Sequence, residues 1–179
     1  MVEWQEITEQ LIQEHPIPVA TLRAATIAAW DDIFRSSVGS LRIGRDIYPQ
    51  PQIIGFFLHE LIPVEIGKLQ AGWKRGNPPQ KDCHSDAQPQ FDFEIKTSSH
   101  PKAIFANRSY AQPATAGKAE KAGYYLAVNF GRFAGDALPK LARIRFGWLD
   151  HSDWIGQKSE TGQQAHLTGD ADHYKLLDI

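Results

Sequence analysis

The chain begins with apolar residues at helical spacing, Trp4, Ile7, Leu11 and Ile12, which stop at the breaker His15-Pro16-Ile17-Pro18. That spacing predicts a helix over residues 4–14. Residues 19–34 are alanine-rich with apolar positions three and four apart, predicting a second helix, and the glycine-dotted 36–48 looks like a connection. Residues 52–69 (QIIGFFLHELIPVEIGKL) are apolar almost throughout and predict a third helix, kinked or stopped at Pro63. His59 and Glu60 are conspicuous polar exceptions within it. The turn-rich AGWKRGNPPQ at 71–80 ends the helical half.

Beyond it the period changes. Residues 81–85 and 91–98 predict two strands joined by a short break, the second being FDFEIKTS. Residues 112–123 suit a helix, with Pro113 in its first turn and Gly123 near its C-cap. Residues 124–130 (YYLAVNF) and 142–149 (ARIRFGWL) predict further strands, and 174–179 a last one. Helices first, then strands with a helix crossing between them, imply an α/β (α+β) domain with a mixed central sheet flanked by helices. Residues 1–179 would form one unit, with 1–70 mainly helical and 81–179 carrying the sheet.

With 179 residues, 42% of them hydrophobic, a single domain can bury a sizeable core. The lone cysteine, Cys83, excludes an intramolecular disulfide or a cysteine-built zinc site. The acidic start MVEWQEITEQ does not resemble a signal peptide, and no apolar run nears the roughly 20 residues of a membrane span, so an intracellular protein is expected. The net charge of −2 is unevenly spread. Residues 1–65 hold four basic and nine acidic side chains (−5), 66–145 thirteen and six (+7), and 146–179 two and six (−4). The middle segment could present a basic face to a phosphate backbone, or carry its charges as an evenly solvated surface.

That segment also holds the chemistry. On an extended strand Glu94 and Lys96 project from one face, which would also hold Asp92. Asp82, twelve residues before Glu94 on the preceding predicted strand, could be brought beside it by a hairpin. Either Asp82 or Asp92 could be the first acid; Asp82 is favoured because it occupies a separate strand. The string HEL invites a zinc-protease reading, but H-E-x-x-H requires histidine where Pro63 stands. In ANRSYAQP, Asn107, Arg108, Ser109, Tyr110 and Gln112 offer base-reading and phosphate-binding groups, or form a polar turn. Lys74, Arg75 and Lys102 suit phosphate positioning. Gln163, Gln164 and His166 form a further polar cluster, expected in a loop.

The arrangement KD, short turn, EIKTSS resembles the signature of PD-(D/E)xK nucleases. The longer EIKTSSHPKAIFANRSYAQP, with HELIP upstream, is similar to type II restriction endonucleases of the ScaI type, loosely over most of residues 50–179. One departure is Lys81, where the signature has proline before the first acid. The resemblance implies a restriction-endonuclease-like core and sequence-specific cleavage of double-stranded DNA at a short palindrome. It implies a homodimer in a prokaryotic cytoplasm. It implies Mg²⁺, or Mn²⁺ in its place, held by Asp82, Glu94 and the Ile95 carbonyl, with Glu60 a further candidate ligand and Lys96 beside the attacking water. A structure-specific repair nuclease or a non-catalytic DNA-binding protein would be the rival readings.

Overall fold

A computed structural model describes residues 2–113, 121–135, 137–159 and 161–179. Three helices come first, α1 (Val2–Glu14), α2 (Val19–Arg35) and α3 (Pro51–Leu69), with a small hairpin of β1 (Ser37–Val38) and β2 (Leu41–Arg42) between the last two. Pro63 neither stops nor shortens α3, which runs on to Leu69 with Pro63 buried. The missing N–H removes the helix bond to the His59 carbonyl, and burial of Ile62 and Ile66 on either side holds the last turns in place. No helix among the described residues is long and apolar enough to cross a membrane.

The strands are β3 (Lys74–Arg75), β4 (Cys83–His84), β5 (Phe93–Ser98), β6 (Phe105–Asn107), β7 (Gly123–Phe130), β8 (Leu141–Leu149), β9 (Trp154–Gly156), β10 (Gln164–Leu167) and β11 (Leu176–Asp178). Six form a mixed sheet in the order β11-β8-β7-β5-β4-β3, with β5 and β7 parallel and the other neighbours antiparallel. The expected mixed sheet with helices is therefore present. The helix expected over 112–123 falls largely on residues 114–120, outside the described residues. A second, three-stranded sheet, β6-β10-β9, was not expected. It makes a strand of the 164–167 segment, taken from sequence as loop.

Both faces of the large sheet are buried, which is why β7 reads as an almost unbroken apolar run. Tyr124, Leu126, Val128 and Phe130 face the helices in the main core, while Tyr125 and Ala127 face a smaller core with Leu149, Trp154 and Ala165 beneath the second sheet. Strand β5 lies between the parallel pairing on one side and the very short β4 on the other. That position shapes the site.

Candidate active site

Alternation along β5 sends Phe93 and Ile95, both fully buried, to the helical core, and Glu94 and Lys96 to the opposite face. The Lys96 ammonium donates to Glu94 Oε1 at 2.8 Å and to the Tyr110 hydroxyl oxygen at 3.0 Å, and the Tyr110 hydroxyl donates in turn to Glu94 Oε1. Burial, then the charge of Glu94, pushes the Tyr110 hydroxyl up, so it keeps its proton and remains a donor. Lys96 and Lys121 also approach the Tyr110 ring, at 4.6 and 4.7 Å from its centroid.

Asp82 arrives from the neighbouring segment. Strand β4 pairs with β5 only at Cys83 and Phe93, so the edge of β5 past that point has no ladder partner. Asp82 Oδ2 takes the place of one by accepting the Ile95 N–H at 2.7 Å. Oδ2 also lies 3.3 Å from His59 Nδ1 on α3. Burial raises the Asp82 carboxyl, but the His59 hydrogen bond and charge, the Ile95 N–H and the Lys96 charge together outweigh it and hold the group below the usual carboxylate range. It is ionised at neutral pH.

Asp82 and Glu94 line one cavity of about 240 Å³, with Lys81 and Lys121 at its rim. Because the N–H and C=O of one residue on an extended strand point to the same edge, the Ile95 carbonyl faces the edge occupied by Asp82. Two carboxylates and a strand-edge carbonyl are hard oxygen donors and fit a hard divalent cation. Among the described residues no three acidic, histidine or cysteine side chains gather as a metal cluster, so such an ion would rely on the carbonyl, water and substrate oxygens for the rest of its shell.

The other sequence candidates are distributed differently. Asp92 does not share the cavity: it is buried, receives the Ser85 N–H at 2.9 Å and lies 2.5 Å from His84 Nδ1. It precedes β5 and caps a short turn, so the alternation that places Glu94 and Lys96 does not reach it. Glu60 is turned to Arg75 at 2.8 Å, and its neighbour His59 is the α3 side chain that meets Asp82. Lys74 pairs with Asp86. Arg108 binds the Ser159 carbonyl at 3.1 Å, Tyr110 is buried against the site, and Ser109, Gln112 and Lys102 are exposed. Asn107 shares with Lys96, Tyr110 and Gln164 an opening of about 280 Å³.

The sequence matches the model of the ScaI restriction endonuclease family over residues 1–179. The chain belongs to that family. It is 43% identical over 182 residues to the type II restriction enzyme ScaI of Streptomyces caespitosus, covering 99% of this chain and 80% of that enzyme. No solved structure matches it. As a member of the ScaI restriction endonuclease family it is a sequence-specific deoxyribonuclease, and its substrate is DNA. Type II enzymes generally work with a divalent metal, and the oxygen-lined cavity between Asp82 and Glu94 agrees with that requirement. His59 was not foreseen as part of this neighbourhood; its one sequence signal was a polar residue inside an otherwise apolar helix.

Proposed function

We propose that Asp82, Glu94 and the Ile95 carbonyl hold Mg²⁺, or Mn²⁺ in its place, and that the phosphodiester is cut there by an activated water. The observation that carries this is the convergence of Asp82 and Glu94 on one cavity, with Lys96 bonded to Glu94. The bound ion supplies charge stabilisation and lowers the pKa of a coordinated water. Lys96 orients the nucleophile and sets a fixed positive charge against the negative charge that builds on the phosphorus oxygens. The Tyr110 hydroxyl holds Glu94 in orientation, and His59 with the Ile95 N–H fixes Asp82 Oδ2, which leaves Oδ1 for the ligand role. Glu60, engaged by Arg75, takes no direct part in this reading.

A palindromic site presents the same half-site twice, so two chains related by a two-fold axis would match it with one cleavage centre per strand. The cleaving species is therefore proposed to be a homodimer, acting in the cytoplasm of a prokaryotic cell. Asn107, beside Lys96, is the best placed of the sequence candidates to read a base near the cut; Arg108 is better placed to bind the Ser159 and Gly162 carbonyls.

The test is incubation with a sequenced plasmid and Mg²⁺, followed by reading the fragment ends. Discrete bands with identical termini, abolished by chelator and by Glu94→Ala, are expected. Wild-type cleavage by purified Glu94→Ala protein would overturn the assignment. Sedimentation with and without the duplex tests the dimer, which a strict monomer on cleaved product would exclude.

A further inference from the structure

Strand β5 runs on from Lys96 through Thr97 and Ser98 into a larger recess of about 930 Å³, walled by α3 on one side and by Arg132 and Gln164 on the other. Gln164 and Phe105 line both this recess and the opening beside Lys96, so the two are continuous along the strand. None of the described residues lining the recess is acidic, in a chain with 21 acidic residues, while Arg132, His59 and His100 all contribute to it. The basic residues that sequence pattern singled out are in several cases already engaged: Lys74 by Asp86, Arg75 by Glu60, Arg108 by backbone carbonyls. Arg132 differs from them. Its Nε donates to the Ser99 hydroxyl oxygen at 3.1 Å, and it makes no ion pair among the described residues.

The neutral donors around it are also preset. His100 Nδ1 accepts the N–H groups of Lys102 at 3.2 Å and Ala103 at 2.9 Å, which places the ring proton of the neutral form on Nε2. Ser98 Oγ accepts the His100 N–H at 3.1 Å, so its own hydroxyl hydrogen remains to be given. An acid-free recess with a guanidinium, an imidazole N–H and hydroxyls suits a phosphate oxygen, which an acidic lining would repel; the amides of Gln52 and Gln164 are the lining groups that would equally suit a base edge.

We propose that this recess holds a backbone phosphodiester of the cleaved strand, flanking the scissile bond, with Arg132 steered by Ser99 as its principal contact and His100 and Ser98 as supporting donors. The inference rests on the reading of Asp82, Glu94 and Lys96 as the cleavage centre. Ser99 lies three residues beyond Lys96, about 10 Å along an extended chain at roughly 3.3 Å per residue. That separation keeps the contact within a few nucleotides of the cut.

A phosphate contact is worth the same on any sequence and releases counterions, whereas a base contact is worth something on the cognate site alone. The experiment measures binding of cognate and non-cognate duplexes in EDTA, over a range of salt, for wild type, Arg132→Ala and Arg132→Lys. Arg132→Ala should weaken both duplexes alike and reduce the magnitude of the slope of log K against log salt by about 0.9, one phosphate's worth, while Arg132→Lys keeps most of the slope. Arg35, paired with Asp31 and Asp32 at the end of α2, serves as the control for net charge: Arg35→Ala should leave the slope near the wild-type value. An unchanged slope in folded Arg132→Ala protein, or a loss confined to the cognate duplex, would overturn the assignment while leaving the cleavage centre standing. Should Arg132→Ala fail to fold, Arg132→Gln, which keeps a long polar side chain without the charge, is read by the same criterion. Wild-type cleavage by Glu94→Ala protein would instead remove the reading on which the proposal depends.

Discussion

The substitution Gly76→Ala tests whether Asp82 is placed by the backbone it hangs from. Gly76 follows β3 and donates its N–H to the Asp82 carbonyl at 3.0 Å, so the two segments are bonded where the acid leaves the turn. A Cβ at Gly76 would stand 1.9 Å from the Lys81 carbonyl oxygen and 3.1 Å from its carbon. Both atoms belong to backbone, and no rotamer change can relieve the clash. The segments must part by roughly 1 Å, and a separation of that size takes the 2.7 Å bond from the Ile95 N–H to Asp82 out of hydrogen-bonding range. Overpacking of this kind costs about 1–3 kcal/mol, which corresponds to a Tm lower by about 2–12 °C in a chain of this length. A misplacement near 1 Å at a catalytic group costs on the order of 100-fold in rate. The assay is single-turnover plasmid cleavage at saturating enzyme, run beside thermal unfolding followed by circular dichroism. Gly169→Ala supplies the comparison, because no heavy atom lies within 4 Å of a Cβ there and it should be nearly neutral in both measurements. A Gly76→Ala protein that cleaves at the wild-type rate would refute the placement of Asp82 by this turn.

Other outcomes follow from the same geometry. Tyr110→Phe removes a hydroxyl donated to Glu94, a bond to a charged group worth about 1.5–3 kcal/mol, so metal affinity measured by titration calorimetry should change by roughly 10- to 100-fold. Unaltered metal binding would disconnect Tyr110 from the site. His84 is raised above its ordinary value, chiefly by its hydrogen bond to Asp92, against burial and with help from Asp86. Its contribution to stability is therefore complete below the unfolded histidine pKa and is lost as pH rises through the folded value; His84→Gln should flatten that part of the stability–pH curve, and a curve of unchanged shape would count against it. Asp172→Ala strips the fully buried Arg145 of its 2.6 Å partner, at a cost of about 3 kcal/mol, the low end for a broken buried pair because Asp172 is itself partly exposed. Urea denaturation checks this, and a midpoint equal to wild type would contradict it.

Much of the site was legible because it follows the period of a strand. Glu94 and Lys96 must share a face whenever FEIK is extended, and they are found bonded to one another. The same rule overreached at Asp92, which sits in the turn before the ladder begins. Tyr110 misled in another way: in a polar string it looked like a phosphate contact, yet the short 3-10 turn at Arg108–Ala111 rolls its ring inward, and no periodicity in four residues announces that. The second sheet was hidden because strands of three or four residues are too short to show alternation. His59 was beyond reach for a different reason. Which side of α3 meets Asp82 depends on how closely the helix approaches β5, and that closeness is set at Gly55, where a Cβ would lie 2.6 Å from the Thr97 hydroxyl oxygen.

These particulars join in the brevity of β4. Had β4 continued as a regular partner, its backbone would have satisfied the Ile95 N–H and carbonyl, and the edge of β5 would be closed. A single paired position, Cys83 opposite Phe93, leaves that edge open just where Glu94 and Lys96 begin, and an open edge is ordinarily a liability that a fold covers. This fold covers it with a carboxylate. Asp82 satisfies the N–H through one oxygen, His59 fixes the same oxygen from the helix side, and the Ile95 carbonyl points to the same strand edge, next to a cavity lined by Asp82 and Glu94. The unpaired length of β5 therefore has two consequences at once: toward Lys81 and Lys121 it presents oxygen donors, and toward Arg132 and His100 its extension presents hydroxyls and N–H groups. A cation and a phosphate backbone are the complementary ligands of those two stretches. On the proposed reading, the order of residues along one strand sets the order in which metal, scissile phosphate and flanking phosphate would lie along the DNA.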